Sequence, residues 1–216
     1  MEIPNVCHPF QLINRIILLN AIKNNQNYLR GKILDLGCGR RIYEKYVKGE
    51  YYGLDLPQNT KANIKYDLTQ YPWPIKDNTF DNILCIQVID DFFDPAAFIK
   101  EIKRILKKNG VAIISSSFVW ELHFEPNDYY RFSEHSLKKY FTNEGFKIIK
   151  FQRLGSYPHV IGQVISAYLE IISRKFLLFS PVFAMVSLLN SFFWLLIGFF
   201  SNEKRLYLIN LIVVQK

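Results

Sequence analysis

Two acidic residues and two glycines directly follow short apolar runs, and this is where α/β proteins place ligand-binding groups. The first run ends in Asp35-Leu36-Gly37-Cys38-Gly39, and Asp55 closes the next run. Glycines at a strand end let backbone N–H groups approach a ligand, and a carboxylate attracts cations or accepts hydrogen bonds from ribose hydroxyls. The spacing therefore predicts a nucleotide-type cofactor site at the turn after the first strand.

Two kinds of cofactor suit glycines and an acid at this turn. A dinucleotide site uses a third glycine to pack helix against strand, but Arg40, Arg41 and Ile42 occupy the positions where it would stand. Asp35 would also repel a pyrophosphate, whereas it would attract the sulfonium and ammonium groups of S-adenosylmethionine. Asp55 can bind ribose in both cases and does not discriminate, so the missing third glycine and Asp35 are what favour S-adenosylmethionine.

Strand-type and helix-type segments alternate along the chain. Apolar runs predict strands at 32–36, 51–56, 64–68, 80–88, 111–117, 146–154 and 206–214. Capping residues and helical spacing predict helices at 11–29 (ended by Gly31), at 42–47, from Asp94-Pro95 to Asn109-Gly110, and from Ser133 to Gly145. This order predicts an α/β fold: a Rossmann-like, doubly wound sheet of seven mostly parallel strands.

Four motifs follow one another in the region 32–117. They are LDLGCG at 34–39, YYGLDL at 51–56, FDNILCIQVIDDFFDP at 80–95 and LKKNGVAIIS at 106–115, with Asp67 after the third strand. Together they resemble the core of class I S-adenosylmethionine-dependent methyltransferases, especially the type-eleven branch, and the resemblance continues more loosely to about Leu154. It implies a methyltransferase that uses S-adenosylmethionine.

The resemblance also implies roles for individual positions. The methionine part of the cofactor would meet the first turn, its ribose the end of the second strand, its adenine the end of the third, and its methyl group the end of the fourth. In that order the cofactor-binding residues are Asp35, Gly37, Cys38, Gly39, Asp55, Leu56, Asp67, Leu68, Gln87 and Val88. Asp90-Asp91 replaces a Glu-His pair of the family, and we expect it either to cap the next helix or to lie at the site.

The segment after the fifth strand offers candidates for acceptor binding. Methyl transfer from a sulfonium needs orientation and, for some acceptors, a base, because the leaving group is already activated. The piece PNDYYRFS at 126–133 resembles a PxDYWRFT-type segment of relatives assigned to cell-surface or glycan biosynthesis. The predicted catalytic residues are His123, Asp128, Tyr129 and Tyr130, with Trp120, Glu125 and Arg131 as further contacts. Two structural alternatives remain: a hydrogen-bonded loop histidine and a packed tyrosine pair.

Composition limits the other possibilities. Half of the 216 residues are hydrophobic, which excludes a disordered chain, and the net charge of +8 favours an anionic partner. The three cysteines, Cys7, Cys38 and Cys85, show neither a CxxC pair nor metal-ligand spacing, so we predict no metal site and a reducing compartment. The first residues lack a secretory signal pattern, which predicts a cytoplasmic location.

An apolar segment interrupts the predicted fold before its last strand. Residues 176–202 carry no charged side chain and are long enough to cross a bilayer, but the last strand must return to the sheet. We predict two helices that lie at a membrane interface or form a shallow hairpin, flanked by Arg174-Lys175 and Lys204-Arg205; packing on the sheet and a homodimer interface are the alternatives. The predicted domains are an N-terminal helical extension (1–31), the methyltransferase core (32–155), the insertion (156–205) and the final strand (206–216).

The function predicted from these observations is methyl transfer to a small or lipid-linked acceptor in glycan or cell-envelope biosynthesis, at the inner face of the membrane. The positive charge raises an RNA methyltransferase as an alternative, but neither an NPPY-type tetrad nor a separate basic module is visible, so we expect no nucleic-acid partner. A non-catalytic cofactor-binding protein that contacts membranes is the second alternative.

Overall fold

The computed structural model describes residues 9–216, and the chain divides into two compact units. The sheet unit comprises Ala21–Ser117, Leu122–Gln152 and Asn210–Lys216, and the helical unit comprises the described part of Met1–Asn20 with Phe118–Glu121 and Arg153–Ile209. Residues 1–8 of the predicted N-terminal extension, including Cys7, lie outside the described residues.

Seven strands form one sheet. They are β1 (Arg30–Leu36), β2 (Lys48–Asp55), β3 (Ile64–Lys65), β4 (Phe80–Ile86), β5 (Leu106–Ser117), β6 (Lys147–Leu154) and β7 (Ile209–Gln215), in the spatial order β3-β2-β1-β4-β5-β7-β6. The five strands from β3 to β5 pair in parallel. β7 is antiparallel to β5, because the N–H of Asn109 donates to the carbonyl of Lys216 and the N–H of Phe118 to that of Leu208. The predicted Rossmann-like, seven-stranded, mostly parallel sheet is confirmed.

The core of the sheet unit forms because parallel strands are apolar on both faces. The last four residues of β1 and of β4 are all buried. Helix α2 (Pro95–Ile105) adds fully buried Phe98, Ile99, Ile102 and Ile105, and α3 (Glu134–Asn143) adds Leu137 and Phe141. Burying each such side chain contributes about 1.5–3 kcal/mol. This packing fixes the strand ends from which the site is built.

The predicted end of helix α2 is wrong. The helix stops at Ile105 rather than at Asn109-Gly110 because Leu106 already pairs with Phe80 of β4, so β5 begins five residues earlier than predicted. The predicted helix at 42–47 is also wrong, since only a single 3-10 turn, Glu44–Tyr46, lies there.

The first helix, α1 (Leu12–Asn24), is shorter than predicted. The buried amide of Asn25 donates to the carbonyl of Ala21 at 2.7 Å and closes the last turn of the helix. Gly31 was predicted to stop this helix, but it lies in β1 with a φ of 73°. Glycine suits this position, because the side chain of Asp81 occupies the space that a Cβ would need.

The helical unit is built around two antiparallel helices between β6 and β7. Helices α4 (Tyr157–Lys175) and α5 (Ser180–Phe199) contact each other where the Asn190 amide donates to the carbonyl of Gly162 at 2.7 Å. One turn closer to the start of α4, the His159 ring occupies the space where Gly198 lacks a Cβ. The predicted apolar helical insertion before the last strand is confirmed, and we call this pair the hairpin.

Candidate active site

Most of the predicted cofactor-binding residues lie at one edge of the sheet. The carboxyl ends of the adjacent parallel strands β2, β1 and β4 carry Asp55, Gly37 and Gln87, and Asp67 lies two residues after β3. The direction in which successive strands are added reverses between β1 and β4, and such a switch point is where doubly wound sheets bind ligands. The structure therefore brings together residues that are far apart in sequence.

The turn after β1 is shaped by its two glycines. The N–H groups of Gly37 and Cys38 both donate to the carbonyl of Leu54, at 2.8 and 3.1 Å, which ties the turn to the end of β2. A Cβ on Gly37 would lie 2.5 Å from Cγ2 of Val88, so the turn passes very close to the end of β4. A Cβ on Gly39 would meet no heavy atom within 4 Å. This open space beside the backbone fits a bound ligand.

Asp35 lies beneath the turn with a side chain that is only 1% exposed. Its Oδ2 accepts a hydrogen bond from the Tyr51 hydroxyl at 2.5 Å, and burial raises the pKa of Asp35 to about 7 although this hydrogen bond opposes the rise. The guanidinium of Arg41, stacked on the Tyr51 ring at 4.9 Å, favours the ionised carboxyl more weakly. A cationic ligand nearby would stabilise the same charged form.

Asp55 holds the turn from the other side. Its Oδ2 accepts the N–H of Gly39 at 2.8 Å and the amide of Asn59 at 2.9 Å, and its Oδ1 accepts the N–H of Leu56 at 2.8 Å. A carboxylate oxygen has two lone pairs, so Oδ2 is fully used and Oδ1 keeps one for a ribose hydroxyl. These bonds orient the carboxylate. Asn59, which also donates to the carbonyl of Gly39 at 2.7 Å, was missed by the sequence analysis because no motif marks it.

Two predicted cofactor-binding side chains belong to the protein interior. The Cys38 side chain is buried against Gly53, and burial raises the pKa of its thiol to about 12, so it packs and is not a nucleophile. The side chain of Leu68 packs in the main core, where the residue is 7% exposed. Its backbone carbonyl accepts a hydrogen bond from the Trp73 indole N–H. Asp67 accepts both the N–H and the hydroxyl of Thr69 through one oxygen, Oδ1.

The end of β4 carries backbone strain at the place predicted to face the methyl group. Gln87 has a φ of 56°, a conformation that costs a non-glycine residue about 1–3 kcal/mol. Its N–H donates to Oγ of Ser115 at 3.0 Å, and its Oε1 accepts from the Ser117 hydroxyl at 2.8 Å, so β5 holds the strained residue in place. Val88 packs against the Gly37 turn.

Asp90 and Asp91 do not cap the next helix. Asp94 does so, because its carboxylate accepts the N–H of Ala97 at 3.0 Å. Asp90 is buried, its Oδ2 accepts the N–H of Ser117 at 2.7 Å, and burial raises its pKa to about 8. The backbone carbonyl of Asp90 also accepts hydrogen bonds from the N–H groups of Tyr129 and Tyr130. These bonds join the end of β4 to the segment after β5 that contains the predicted catalytic residues.

His123 lies between two carboxylates. Its Nδ1 is 3.2 Å from Oδ2 of Asp128 and 3.4 Å from Nη2 of Arg131, and its Nε2 is 3.8 Å from Oδ1 of Asp91. Arg131 donates to both oxygens of Asp128 at 2.6 and 2.7 Å, which lowers the pKa of that carboxyl to about 2. Burial raises the pKa of Asp91 to about 6. We call Asp91, His123, Asp128 and Arg131 the histidine cluster.

The predicted catalytic residues are therefore only partly brought together. His123 and Asp128 are in contact, whereas the Tyr130 hydroxyl donates to the carbonyl of Phe93 at 2.9 Å and its ring stacks on Phe132. The ring of Tyr129 is 42% exposed and meets Phe93 edge to face. Asp91 joins the cluster without having been predicted as catalytic, because the sequence alone does not show which of two adjacent aspartates faces His123.

The ligating atoms of Asp91, His123 and Asp128 all lie within 4.8 Å of one another, a spacing that suits a metal ion. The guanidinium of Arg131 already neutralises both oxygens of Asp128 and would repel a divalent cation at the same place. The donor set thus fits a histidine oriented by a carboxylate better than a metal centre.

Comparison with known proteins agrees with this geometry. A family model described as "Methyltransferase domain" matches residues 10–150. An uncharacterized protein of Methanocaldococcus jannaschii is 32% identical over 143 residues, which cover 62% of this chain and 61% of the relative, so the match spans about three fifths of that protein's length.

Solved structures show the same fold at low sequence identity. The [4+2]-cyclase SpnF superposes with a TM-score of 0.60 at 16% identity, covering 94% of this chain and 81% of the cyclase. An S-adenosylmethionine dependent methyltransferase from Mesorhizobium loti superposes with a TM-score of 0.57 at 13% identity, covering 94% of this chain and 100% of the other. The chain belongs to the class I S-adenosylmethionine-dependent methyltransferase family, and S-adenosylmethionine is its cofactor.

Proposed function

We propose that this chain transfers the methyl group of S-adenosylmethionine to a hydroxyl group of a small or lipid-linked acceptor in glycan or cell-envelope biosynthesis. The observation that carries this proposal is the histidine cluster, in which His123 is oriented as a base by Asp128 after the strand that ends the cofactor site. A hydroxyl must lose its proton during methylation, and a positioned histidine is the side chain most often used to remove one at neutral pH.

The cofactor residues fit the proposed donor. When bound, S-adenosylmethionine supplies a methyl group on a positively charged sulfur. The turn beside Gly39 has open space, and Asp55 is oriented to accept a hydrogen bond from ribose. The buried Asp35 carboxyl lies at the end of β1 and can provide a negative charge that a cationic ligand stabilises. These residues would bind and orient the donor. The donor needs no activating group, because its sulfonium is already a good leaving group.

The histidine cluster can hold and move the acceptor proton. Asp128 stays ionised because Arg131 donates to both of its oxygens. Nδ1 of His123 lies 3.2 Å from Oδ2 of Asp128 and 3.4 Å from Nη2 of Arg131. We assign the ring proton to Nδ1, directed at Asp128, which leaves Nε2 as the proton acceptor. Once Nε2 has taken the proton, Asp91 lies 3.8 Å away and stabilises the imidazolium. The pair of carboxylates therefore favours proton removal from a neutral hydroxyl.

Exposed side chains beside the cluster suit a sugar or an apolar acceptor. Phe93 is 76% exposed and meets the exposed ring of Tyr129, and Leu122 next to His123 is 72% exposed. Aromatic faces with an exposed apolar neighbour bind the apolar face of a sugar ring or an acyl chain. This surface supports the glycan or lipid-linked class of acceptor over a polyanion such as RNA.

The experiment that tests the proposal offers methyl-labelled S-adenosylmethionine and the purified chain to separated membrane, soluble and RNA fractions of cell extract. We expect label in a lipid-linked or small glycan product. The variant His123→Asn should lower the rate by about 10²–10⁴-fold while cofactor binding is retained. The matched control is His135→Asn, an exposed histidine of α3, and its rate should equal that of the unaltered chain.

Two results would contradict the proposal. Label in RNA alone would favour the RNA alternative. An unchanged rate in His123→Asn, with product formed, would remove the histidine cluster from the reaction, because a base that can be deleted without effect is not used.

A further inference from the structure

The hairpin buries polar and small residues and exposes large apolar ones, which is the reverse of a helix pair in a soluble core. In α5, the buried residues are Ser187, Ser191 and Gly198. In α4, five of the six buried residues are polar or glycine: Gly162, Gln163, Ser166, Glu170 and Ser173, with Val160 as the sixth. Gly162, Ser166, Ser191 and Gly198 lie between the two helices. Gln163 and Ser187 instead donate to the carbonyls of Phe10 and Pro9.

Hydrogen bonds satisfy this polar interior. The Asn190 amide donates to Oγ of Ser166 at 2.9 Å, and the hydroxyls of Ser166 and Ser191 are 3.4 Å apart. Gly162 lets the helices approach, because a Cβ there would lie 2.5 Å from Cβ of Trp194. Small residues at the contact and hydrogen bonds across it are typical of helices packed in lipid, where apolar side chains gain nothing by facing inward.

The large apolar side chains of the hairpin point outward. On α4 they recur along one stripe, and on α5 and the turn before it they cover most of the outer surface. The exposed set comprises Tyr157, Ile161, Val164, Ile165, Tyr168, Ile171, Phe176, Leu177, Leu178, Phe179, Val182, Met185, Val186, Leu188, Leu189, Phe192, Phe193, Leu196, Ile197, Phe199 and Phe200. A contiguous apolar surface of this extent marks an interaction site.

Chain connectivity excludes a single crossing of a bilayer. The hairpin connects β6 to β7, and these strands are neighbours in one sheet, so any segment that crosses must return. Among residues 9–216, one helical segment, Leu177–Phe199, is long and apolar enough to cross. Its most apolar stretch has a mean hydropathy of 2.0, and 17% of that stretch is buried. The return would need α4, which carries Gln163, Glu170 and Arg174. A hairpin that lies along one leaflet satisfies both constraints.

Basic residues flank the hairpin at both ends. Arg174 and Lys175 end α4 beside the turn, and Lys204 and Arg205 follow α5 at the opposite end. The side chains of Arg174 and Arg205 are 76% and 80% exposed, and they are ion-paired to Glu170 at 2.6 Å and to Glu203 at 3.1 Å. A helix pair parallel to a membrane would hold all four basic residues at headgroup level. There a basic residue adds up to about 1 kcal/mol of attraction to anionic lipid, and the two paired arginines add less.

We propose that the outer face of the hairpin binds the surface of an anionic bilayer, with both helices parallel to the membrane plane and their apolar side chains in the acyl region of one leaflet. Binding combines burial of the apolar face with attraction of the flanking basic residues to acidic headgroups. The inference does not depend on catalysis, but with the proposed function it selects the lipid-linked class of acceptor.

Co-flotation of the full chain with vesicles tests this inference without any methyl transfer. We expect the chain to float with vesicles of phosphatidylcholine and phosphatidylglycerol, and more weakly with phosphatidylcholine alone. Replacing the exposed Leu189, Phe192 and Leu196 by glutamine should abolish flotation with both kinds of vesicle. Replacing Arg174, Lys175, Lys204 and Arg205 by glutamine should remove only the preference for phosphatidylglycerol.

Matched controls separate these effects from loss of folding or of charge. Ile149→Gln changes an exposed apolar residue of β6, and Lys100→Gln with Lys139→Gln removes two exposed charges from α2 and α3; both variants should float as the unaltered chain does. Circular dichroism checks that all variants fold.

If the chain floats with neither vesicle, and the triple glutamine variant instead converts a dimer to a monomer, the face binds a second copy and the proposal is overturned. Methyl transfer to a soluble acceptor without flotation would leave the proposed function standing and overturn only the membrane site.

Discussion

At the scale of single residues, the most informative group is Asp35, because a bound cation would favour the charged form of a carboxyl whose pKa burial has raised. The Tyr51 hydroxyl is its hydrogen-bond donor, and burial raises its pKa to about 7. A cationic donor favours the ionised form, so below that pH its binding must release the proton.

This predicts that the affinity for S-adenosylmethionine falls as the pH is lowered from 8 to 6, by up to about tenfold per pH unit below 7. Asp35→Asn should bind on the order of tenfold more weakly at pH 8 and lose the pH dependence, while its amide oxygen still accepts from Tyr51. Calorimetric titration with S-adenosylmethionine measures both effects. Asp77→Asn, at a side chain that is 67% exposed, serves as the control. Equal affinity and an equal pH slope in Asp35→Asn would show that Asp35 does not sense the cofactor's charge.

At the scale of elements, the turn between β1 and β2 contains two glycines with positive φ that differ in what surrounds them. A Cβ on Gly37, which has a φ of 68°, would overlap Cγ2 of Val88, whereas a Cβ on Gly39, which has a φ of 50°, would enter open space. Both would strain an alanine by roughly 1–2 kcal/mol, but only one would also clash.

We therefore expect Gly37→Ala to lower the melting temperature more than Gly39→Ala does. Combining Gly37→Ala with Val88→Ala should recover part of the loss, because the second change removes the Cγ2 atom that clashes. Gly39→Ala should mainly weaken cofactor binding, because its methyl group enters the space beside the turn. Thermal unfolding with and without S-adenosylmethionine separates the two effects. An equal loss of stability at both positions, with no recovery in the double variant, would refute the proposed contact.

The sequence predicted elements with strong local signals and missed contacts that depend on the folded chain. The Asp94 cap, the Ser133 cap and the apolar strand runs are local, and the structure contains them. The early start of β5 at Leu106 arises from pairing with Phe80, which no local pattern reveals. The same holds for the candidate site. Local motifs predicted Gly37 and Asp55, whereas the hydrogen bond from Tyr51 to Asp35 depends on how β1 and β2 are paired.

At the scale of the whole molecule, two buried carboxyls lower the free energy of unfolding at neutral and basic pH. The pKa values of Asp35 and Asp90 rise from 3.8 to about 7 and about 8, mainly through burial. The folded chain then holds more protons than the unfolded chain between about pH 4 and pH 8. Stability is full at the acidic end of this window and decreases as the pH rises through it, by at most about 1.4 kcal/mol per pH unit for each group.

Asp90→Asn should therefore be more stable than the unaltered chain at pH 8, and the difference should shrink towards pH 5. The asparagine oxygen keeps the hydrogen bond from the N–H of Ser117 and removes the buried charge. Urea unfolding at both pH values measures the difference, and Asp77→Asn, at an exposed carboxyl paired with Arg104 at 2.6 Å, is the control for loss of a surface charge. A difference that is constant with pH would mean that Asp90 does not titrate on unfolding in this range.

The place of β7 sets an order of events during synthesis. This strand is inserted between β5 and β6, yet it follows the hairpin in the chain, so a ribosome delivers the apolar helices before the strand that completes the sheet. Until then neither β5 nor β6 has its neighbour β7, so the sheet is completed only after both helices of the hairpin have been made. A chain truncated after α5 would contain the hairpin and lack the strand that lies between β5 and β6.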